Sequence, residues 1–395
     1  MMKPCELAVF LISLYIQCFI SVTSAESVSA IQNTSQADKS DDLSRFPQIP
    51  IKFKEVKTIQ LGKANHTDEK SRNVPWNLTG VNMTGEPEDV SRFNYETLWN
   101  NGLLTLTLVR FEIQKQQLKT QLRQGSQRQT FYQDEPENFL ENSFFTQSDI
   151  ESVTPDFLRR RFKRRIFGRD TRTQIPQGEF RKVPFSAVVK ISTGCTGTLI
   201  SSIHVLTSAH CVHDSSKYIV SVKNVKVGFP KHNGKMRWAG VKNIKVPRGW
   251  TTDKDVSYDY AVLKLVHHHR RKYMVPGSIV LTRGSITTHF LGFHQDKPAN
   301  SLWYSFCKAR PLDHVIINRC DAMPGSSGAG VYLLSNIGSK TVRFIVGVLS
   351  GSGTVRFRKS NGRSRRFNIA TKLTPLKAAQ ICAWIKSAPY CNALA

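Results

Sequence analysis

Two serines, Ser326 and Ser327, stand among Gly325, Gly328 and Gly330 in the stretch Cys320-Asp-Ala-Met-Pro-Gly-Ser-Ser-Gly-Ala-Gly-Val-Tyr332. A turn this rich in glycine lets a hydroxyl stand clear of the backbone while neighbouring N–H groups converge on one point. Taken alone it reads as a flexible Ser/Gly loop; two residues upstream change that reading. His210 sits beside Cys211, just after the run Val205–Ala209, and a Cys195–Cys211 bridge would fix the turn that carries it. That rigidity is what a general base needs, because proton transfer requires hydrogen-bond reach to the nucleophile. Asp259 precedes the apolar run Tyr260–Leu265, where a carboxylate is costly to bury unless it is fully hydrogen-bonded. Orienting a histidine supplies part of that requirement. A hydroxyl nucleophile, an imidazole base and a carboxylate that orients the base together point to acyl transfer. Asp253 and Asp255 are weaker candidates, since they sit in a polar turn.

Short strands separated by turn residues must position these groups. They are expected at Phe185–Ile191, Gly197–Thr207, Ile219–Val227, Trp238–Val246, Tyr260–Val266, Ser278–Leu281, Val331–Leu334 and Arg343–Leu349. The spacing suits an all-β sandwich or barrel. The exception is Thr374–Ser387, an amphipathic helix with Pro375 in its first turn.

The first part of the chain has another character. Lys3, the apolar run Leu7–Val22 and Thr23-Ser-Ala25 read as a signal peptide over 1–25. From Glu26 to about Phe93 the chain is polar, with sequons at Asn33, Asn65, Asn77 and Asn82, which implies an exposed, glycosylated and loose segment. Leu104–Ile113 reads as one strand with a slip of phase, followed by a helix to Arg123, and can pack on the domain that follows. In the basic run Arg159–Arg169, Arg161-Phe-Lys-Arg164 has the spacing that processing proteases with acidic pockets read; a solvated linker is the alternative reading. A cut after Arg165 would leave Ile166 as a new N-terminus. The expected organisation is therefore a signal peptide, a largely irregular pro-segment over 26–165, and a catalytic domain over 166–395.

Charge follows the same division. The net charge is +27, yet residues 1–165 hold 21 basic and 20 acidic side chains, against 35 and 9 in residues 166–395. Such a field attracts polyanions. With no nucleic-acid motif and a secretory leader, extracellular sulfated glycans are the expected polyanion. Two basic clusters carry the expectation: Arg270, Arg271 and Lys272 after three histidines, and Arg356, Arg358, Lys359, Arg363, Arg365 and Arg366. Solvated charged loops are the alternative. Consecutive histidines do not converge well on a metal, and neither a metal nor a cofactor is expected. No later stretch is long and apolar enough to span a bilayer.

Six cysteines follow the leader: Cys195, Cys211, Cys307, Cys320, Cys382 and Cys391. Six cysteines allow 15 connectivities. Their grouping into close pairs favours 195–211, 307–320 and 382–391, in an oxidising compartment.

The order His, Asp, Ser is that of chymotrypsin-like enzymes. Leu-Thr-Ser-Ala-His210-Cys resembles the histidine motif of the trypsin/chymotrypsin-like serine protease family. Asp259-Tyr-Ala-Val-Leu-Lys-Leu resembles its aspartate motif and Gly325-Ser-Ser327-Gly-Ala-Gly its serine motif. Arg165-Ile166-Phe-Gly is similar to its activation junction, and Ile381-Cys-Ala-Trp-Ile-Lys386 to its terminal helix. Details such as Cys320-Asp-Ala-Met-Pro-Gly look closer still to a group of secreted members. The resemblance covers about 166–395. It implies two antiparallel β-barrels with Ser327, His210 and Asp259 in the cleft between them, and backbone N–H groups of Gly325 and Ser327 as an oxyanion hole. It also implies Ser350 beside the triad, and Asp321 as a carboxylate selecting basic residues of a protein substrate. A monomer is expected.

The chain departs from the family pattern at three points. Ser326 stands where an aspartate usually pairs with the new N-terminal ammonium, so the usual insertion switch is expected not to operate. The oxyanion turn is then either preformed, as in bacterial glutamyl endopeptidases, or malformed. Met323 and the bulky Phe367–Asn368 alter the pocket around Asp321, whose alternative reading is a turn residue beside Cys320. Finally, loops of the second barrel are shorter than is typical. The two functions left standing are a secreted serine endopeptidase, and a catalytically weak or inactive homologue that binds matrix glycans.

Overall fold

The computed structural model describes residues 51–64, 89–113, 150–155, 166–279, 284–337, 340–357, 364–386 and Cys391. The leader, the four sequons, the helix expected to Arg123, Arg165, and Arg358, Lys359 and Arg363 all lie outside the described residues.

In chain order the strands are β1 Ile51–Lys63, β2 Tyr95–Trp99, β3 Leu103–Ile113, β4 Ile150–Pro155, β5 Thr173–Gln174 and β6 Val188–Ile191. Next come β7 Thr196–Leu199, β8 His204–Thr207, β9 Lys226–Pro230, β10 Met236–Pro247, β11 Ala261–Leu265 and β12 Val275–Pro276. The last are β13 Ile286–Gly292, β14 Trp303–Pro311, β15 Val315–Asn318, β16 Gly330–Ile337, β17 Lys340–Phe357 and β18 Ser364–Lys372. Pairing runs β10-β11-β8-β7-β6-β9 and returns from β9 to β10, which closes a six-stranded barrel. A second circuit, β17-β16-β13-β14-β15-β18, returns from β18 to β17 and closes another. All pairs within both circuits are antiparallel.

Several expected strands change at identifiable polar residues. The run Gly197–Thr207 is two strands, because Ser201 Oγ meets the Ile203 amide (3.3 Å) and His204 Nδ1 (2.7 Å) and turns the chain between them. Of Ile219–Val227 only Lys226 and Val227 lie in a strand, β9, which follows a 3₁₀ turn at Val222–Asn224 and continues to Pro230. Ser278 and Ile279 are not in a strand; β12 lies just before them. The C-terminal helix runs Pro375–Ile385, started by Thr374, whose hydroxyl accepts the Lys377 N–H, and ended at Lys386 with φ 37°. The three disulfides join Cys195–Cys211, Cys307–Cys320 and Cys382–Cys391, the pairing favoured by the sequence.

Before residue 166, where a largely irregular segment with one strand at Leu104–Ile113 is expected, the described residues add three further strands, β1, β2 and β4. β1, β3 and β2 form an antiparallel extension that joins the first barrel through β2 on β10, with Ile244 opposite Leu98. β4 pairs with β17 of the second barrel, Val153 opposite Val355. Phe93, Tyr95 and Leu98 are buried in one cluster with Tyr258, Tyr260, Ile381 and Trp384. Phe93 meets Tyr258 edge-on at 5.4 Å, and Gln380 of the C-terminal helix links the two regions: its Nε2 donates to Phe93 O and its Oε1 accepts from Tyr260. Ile150 and Val153 are buried with Leu312, Phe357 and Phe367. Strands on both sides of residue 165 therefore share sheets and cores.

Candidate active site

His210 lies in the 3₁₀ turn Ala209–Cys211 directly after β8, where the Cys195–Cys211 bridge ties β8's end to the start of β7. Asp259 follows the 3₁₀ turn Val256–Tyr258 and precedes β11, the strand paired with β8. Strand pairing thus delivers both residues to the same end of the first barrel. The Asp259 side chain is 0% exposed, that of His210 17%. Asp259 Oδ1 accepts the His210 backbone N–H at 2.9 Å, and Oδ2 lies 2.7 Å from His210 Nδ1. The Ser350 hydroxyl, on β17, donates to the same Oδ2. The burial cost of this carboxylate is offset by three hydrogen bonds.

The turn before β16 brings Ser327 in from the second barrel. Gly325 and Gly328 adopt φ of 98° and 86°, conformations that side chains strain to reach. Ser326 is buried and its Oγ donates to Met323 O at 2.7 Å; Ser327 is partly exposed and its Oγ donates to Ser350 O at 3.2 Å. The amides of Ser326 and Gly328 are bonded to Met323 O and Leu349 O. Those of Gly325 and Ser327 meet no acceptor among the described residues. Ser350 therefore touches both sides of the site, its carbonyl on Ser327 and its hydroxyl on Asp259.

Thr196, at the start of β7, was not singled out in the sequence. Its N–H donates to Ser327 O (2.8 Å), its Oγ1 donates to Gly325 O (2.7 Å) and accepts from Phe293 N–H (3.0 Å), and its carbonyl accepts from Thr207 Oγ1 (2.7 Å). Thr196 is fully buried, and its bonds to Phe293, Gly325 and Ser327 reach about 100 or more positions along the chain, so no local pattern marks it. Thr371 was also missed; its hydroxyl sits 2.7 Å from Val256 O and 3.3 Å from Asp259 O, holding the aspartate's backbone.

The reading of Asp321 as a substrate-selecting carboxylate is corrected. It is 3% exposed, and its oxygens accept the Phe167 N–H (2.8 Å), the Thr171 N–H (2.8 Å) and the Thr171 hydroxyl (2.7 Å). These donors belong to the chain's own segment after Ile166, so the carboxylate is turned toward it. The altered pocket wall is filled as well: Phe367 packs edge-on against Phe357, and Asn368 Nδ2 donates to Cys320 O.

The basic clusters fare unequally. Arg270, Lys272, Arg356, Arg365 and Arg366 are exposed. Arg271 is not a free surface contact: its guanidinium donates to Pro230 O (2.5 Å) and Ser186 O (3.4 Å) and lies 5.3 Å from the Phe229 ring centre. Burial, then the neighbouring Arg237 and Arg181, lowers its pKa to about 10. The three histidines diverge, with His268 at Ser202 Oγ and His269 buried against Ser201 O. Cys195, His210 and Cys211 place ligand-type atoms close together, but both sulfurs belong to a disulfide and offer no thiolate. No helix among the described residues is long and apolar enough to cross a membrane.

Comparison with known proteins places the chain among relatives. The sequence profile of the family described as Trypsin matches residues 172–279. Serine protease 23 of Bos taurus is 40% identical over 255 residues, 57% of this chain and 66% of that protein. Inactive serine protease 35 of Macaca mulatta is 34% identical over 290 residues, 57% of this chain and 70% of the relative. The chain thus spans just under two thirds of the length of the serine protease 23 relatives. A solved chain described as "Structure of Glu endopeptidase in complex with MPD" aligns with 56% of this chain and all of its own length, at TM-score 0.45 and 24% identity. With two closed antiparallel barrels and a 34%-identical relative covered over 70% of its length, the chain belongs to the trypsin/chymotrypsin-like serine protease family.

Proposed function

We propose that this protein is a secreted serine endopeptidase acting through an acyl-enzyme. Ser327 Oγ attacks the scissile carbonyl, His210 takes the hydroxyl proton and returns it to the leaving amine, and Asp259 holds the imidazole. Water then hydrolyses the ester, with His210 again as base. The amides of Gly325 and Ser327 receive the oxyanion, each such donor being worth roughly 3–4 kcal/mol. The observation that carries this reading is the double hold of Asp259 on His210 together with a partly exposed Ser327 beside two amides with no acceptor among the described residues.

Secretion, glycosylation at Asn33, Asn65, Asn77 and Asn82, and processing at Arg165–Ile166 belong to the same proposal on their sequence signals. A preference for basic substrate residues does not, since Asp321 faces its own chain. The test is a fluorophosphonate probe on protein cleaved after Arg165: labelling that vanishes in Ser327→Ala supports the enzyme, and none in a folded, cleaved sample refutes it.

A second reading is a weak or inactive homologue acting through its basic surface. Neutral Ser326 in place of the usual carboxylate favours it, as does the exposure of Arg270, Lys272, Arg356, Arg365 and Arg366. Elution from heparin well above physiological salt, together with absent labelling, would support it. Sulfated glycans remain the proposed polyanion under either reading.

A further inference from the structure

The segment that grips Asp321 is fixed at further points. The Arg319 guanidinium lies 5.0 Å from the Phe167 ring centre. Arg172, whose side chain is 0% exposed, reaches Asp170 at 2.8 Å and Asp296 at 2.6 Å, and Lys297 reaches Asp170 at 2.8 Å. Asp296 and Lys297 follow Gln295, whose N–H donates to Pro324 O at 2.7 Å. A Cβ at Gly325 would run into the carbonyl of Phe293 and press on Gln295. Residues 167–172 therefore hold the Ser327 turn from two directions, through Asp321 before it and through the 293–297 loop beside it.

We propose that Asp321 is the positioning residue that anchors the start of the catalytic domain and the charge partner of the ammonium created at Ile166, in place of a carboxylate at 326. This rests on the reading of Arg165–Ile166 as a processed junction. Hydrolysis there adds water across the peptide bond, leaving a carboxylate on Arg165 and an amine on Ile166 that takes a proton. The Ile166 nitrogen is three covalent bonds from the Phe167 nitrogen, which already lies 2.8 Å from Asp321 Oδ1; the new charge starts within about 6.5 Å of that oxygen. Ile166 is half-buried, and an ammonium there is stabilised by a nearby counter-charge. Ser326 has none to give, and its hydroxyl is already bonded to Met323 O. Cleavage thus adds a charge pair to hydrogen bonds present in the intact chain. The turn gains rigidity without the usual aspartate.

The test compares intact and Arg165-cleaved full-length protein, as wild type and as Asp321→Asn. The readouts are hydrogen exchange over 166–172 and fluorophosphonate labelling rate. In wild type, cleavage should slow exchange of the segment at least tenfold and raise the labelling rate by a similar factor. In Asp321→Asn, cleaved and intact forms should exchange alike. A merely structural Asp321 would alter both forms equally, so the difference between them is diagnostic. If Asp321→Asn does not fold, Thr171→Val removes only one hydroxyl donor and should leave the cleavage effect in place at reduced overall protection. Equal protection of cleaved wild type and cleaved Asp321→Asn would overturn the proposal. So would a change in preference between arginine and neutral substrates with segment protection unaltered. Absent labelling with the exchange difference intact would refute the enzyme and leave the anchor standing.

Discussion

Asp259 holds His210 twice, with one carboxylate oxygen on the backbone N–H and the other 2.7 Å from Nδ1. The ring can then neither swing nor change tautomer without losing a bond to a buried anion. Ser350 adds a third donor on the Nδ1 side, so the carboxylate is positioned from both barrels.

Asp259→Asn should keep the fold and lose the activity. An amide presents either an oxygen or an NH₂ to Nδ1 and cannot serve both donors and the imidazolium. We expect kcat to fall by about 10⁴-fold, with little change in KM, measured as peptide hydrolysis at pH 7–8. A loss under tenfold would argue against this triad.

Gly328→Ala should destabilise the protein by about 3 kcal/mol or more. A Cβ there would meet Thr207 Oγ1 and the Thr196 carbonyl, which are hydrogen-bonded to each other, at a φ of 86°. Gly284→Ala is the control: its φ is 89°, but nothing lies within 4 Å, so only the backbone strain of about 1–2 kcal/mol applies. Urea midpoints of the two variants would check the contrast.

Cleavage after Arg165 should yield two chains that stay together. No disulfide among the described residues crosses the junction, yet β2 completes the sheet at β10, β4 lies on β17, and Arg92 reaches Asp253 and Asp255 at 3.0 Å each. The pieces should separate in denaturing gels and co-elute in native size exclusion. Phe93→Ala, emptying a 0%-exposed site, should cost roughly 3–5 kcal/mol and loosen that association. Quantitative release of the upstream piece from native wild type would contradict the shared core.

Acid should destabilise the fold before the carboxylates titrate. Burial lowers His213 and His289 from 6.5 to about 4, and His204 and His294 to about 3. The folded protein keeps these rings neutral while the unfolded chain takes up protons near pH 6.5. Their contribution is therefore complete above 6.5 and is lost as pH falls toward 4. Each ring contributes a slope of at most about 1.4 kcal/mol per pH unit. Denaturation midpoints at pH 7, 6, 5 and 4 should fall steadily, and His213→Gln should remove about one proton from the slope.

The chemistry was more legible than the frame. His210, Asp259 and Ser327 stand in short motifs whose neighbours, a half-cystine, an apolar strand and paired glycines, declare the local geometry. Strands β13, β14, β15 and β18 were not anticipated, because buried polar residues such as His289, Ser305, Asn318 and Asn368 interrupt their alternation. Asn318 and Asn368 face each other across β15 and β18, a relation invisible to local pattern. The role of Asp321 was misread for a similar reason. Its partners, Phe167 and Thr171, lie some 150 residues away, and a carboxylate's type does not say which way it points. β1 escaped notice because its apolar positions slip phase at two bulges and Val56 faces solvent.

Thr196 has a mechanical consequence. One residue of the first barrel fixes the carbonyls of Gly325 and Ser327 in the second, so the active turn and the seam between the barrels are a single joint. A displacement of about 1 Å at a catalytic group can cost around 10²-fold in rate. Anything that levers the barrels apart, even from the far side of the molecule, would silence Ser327 while leaving the reacting residues chemically untouched.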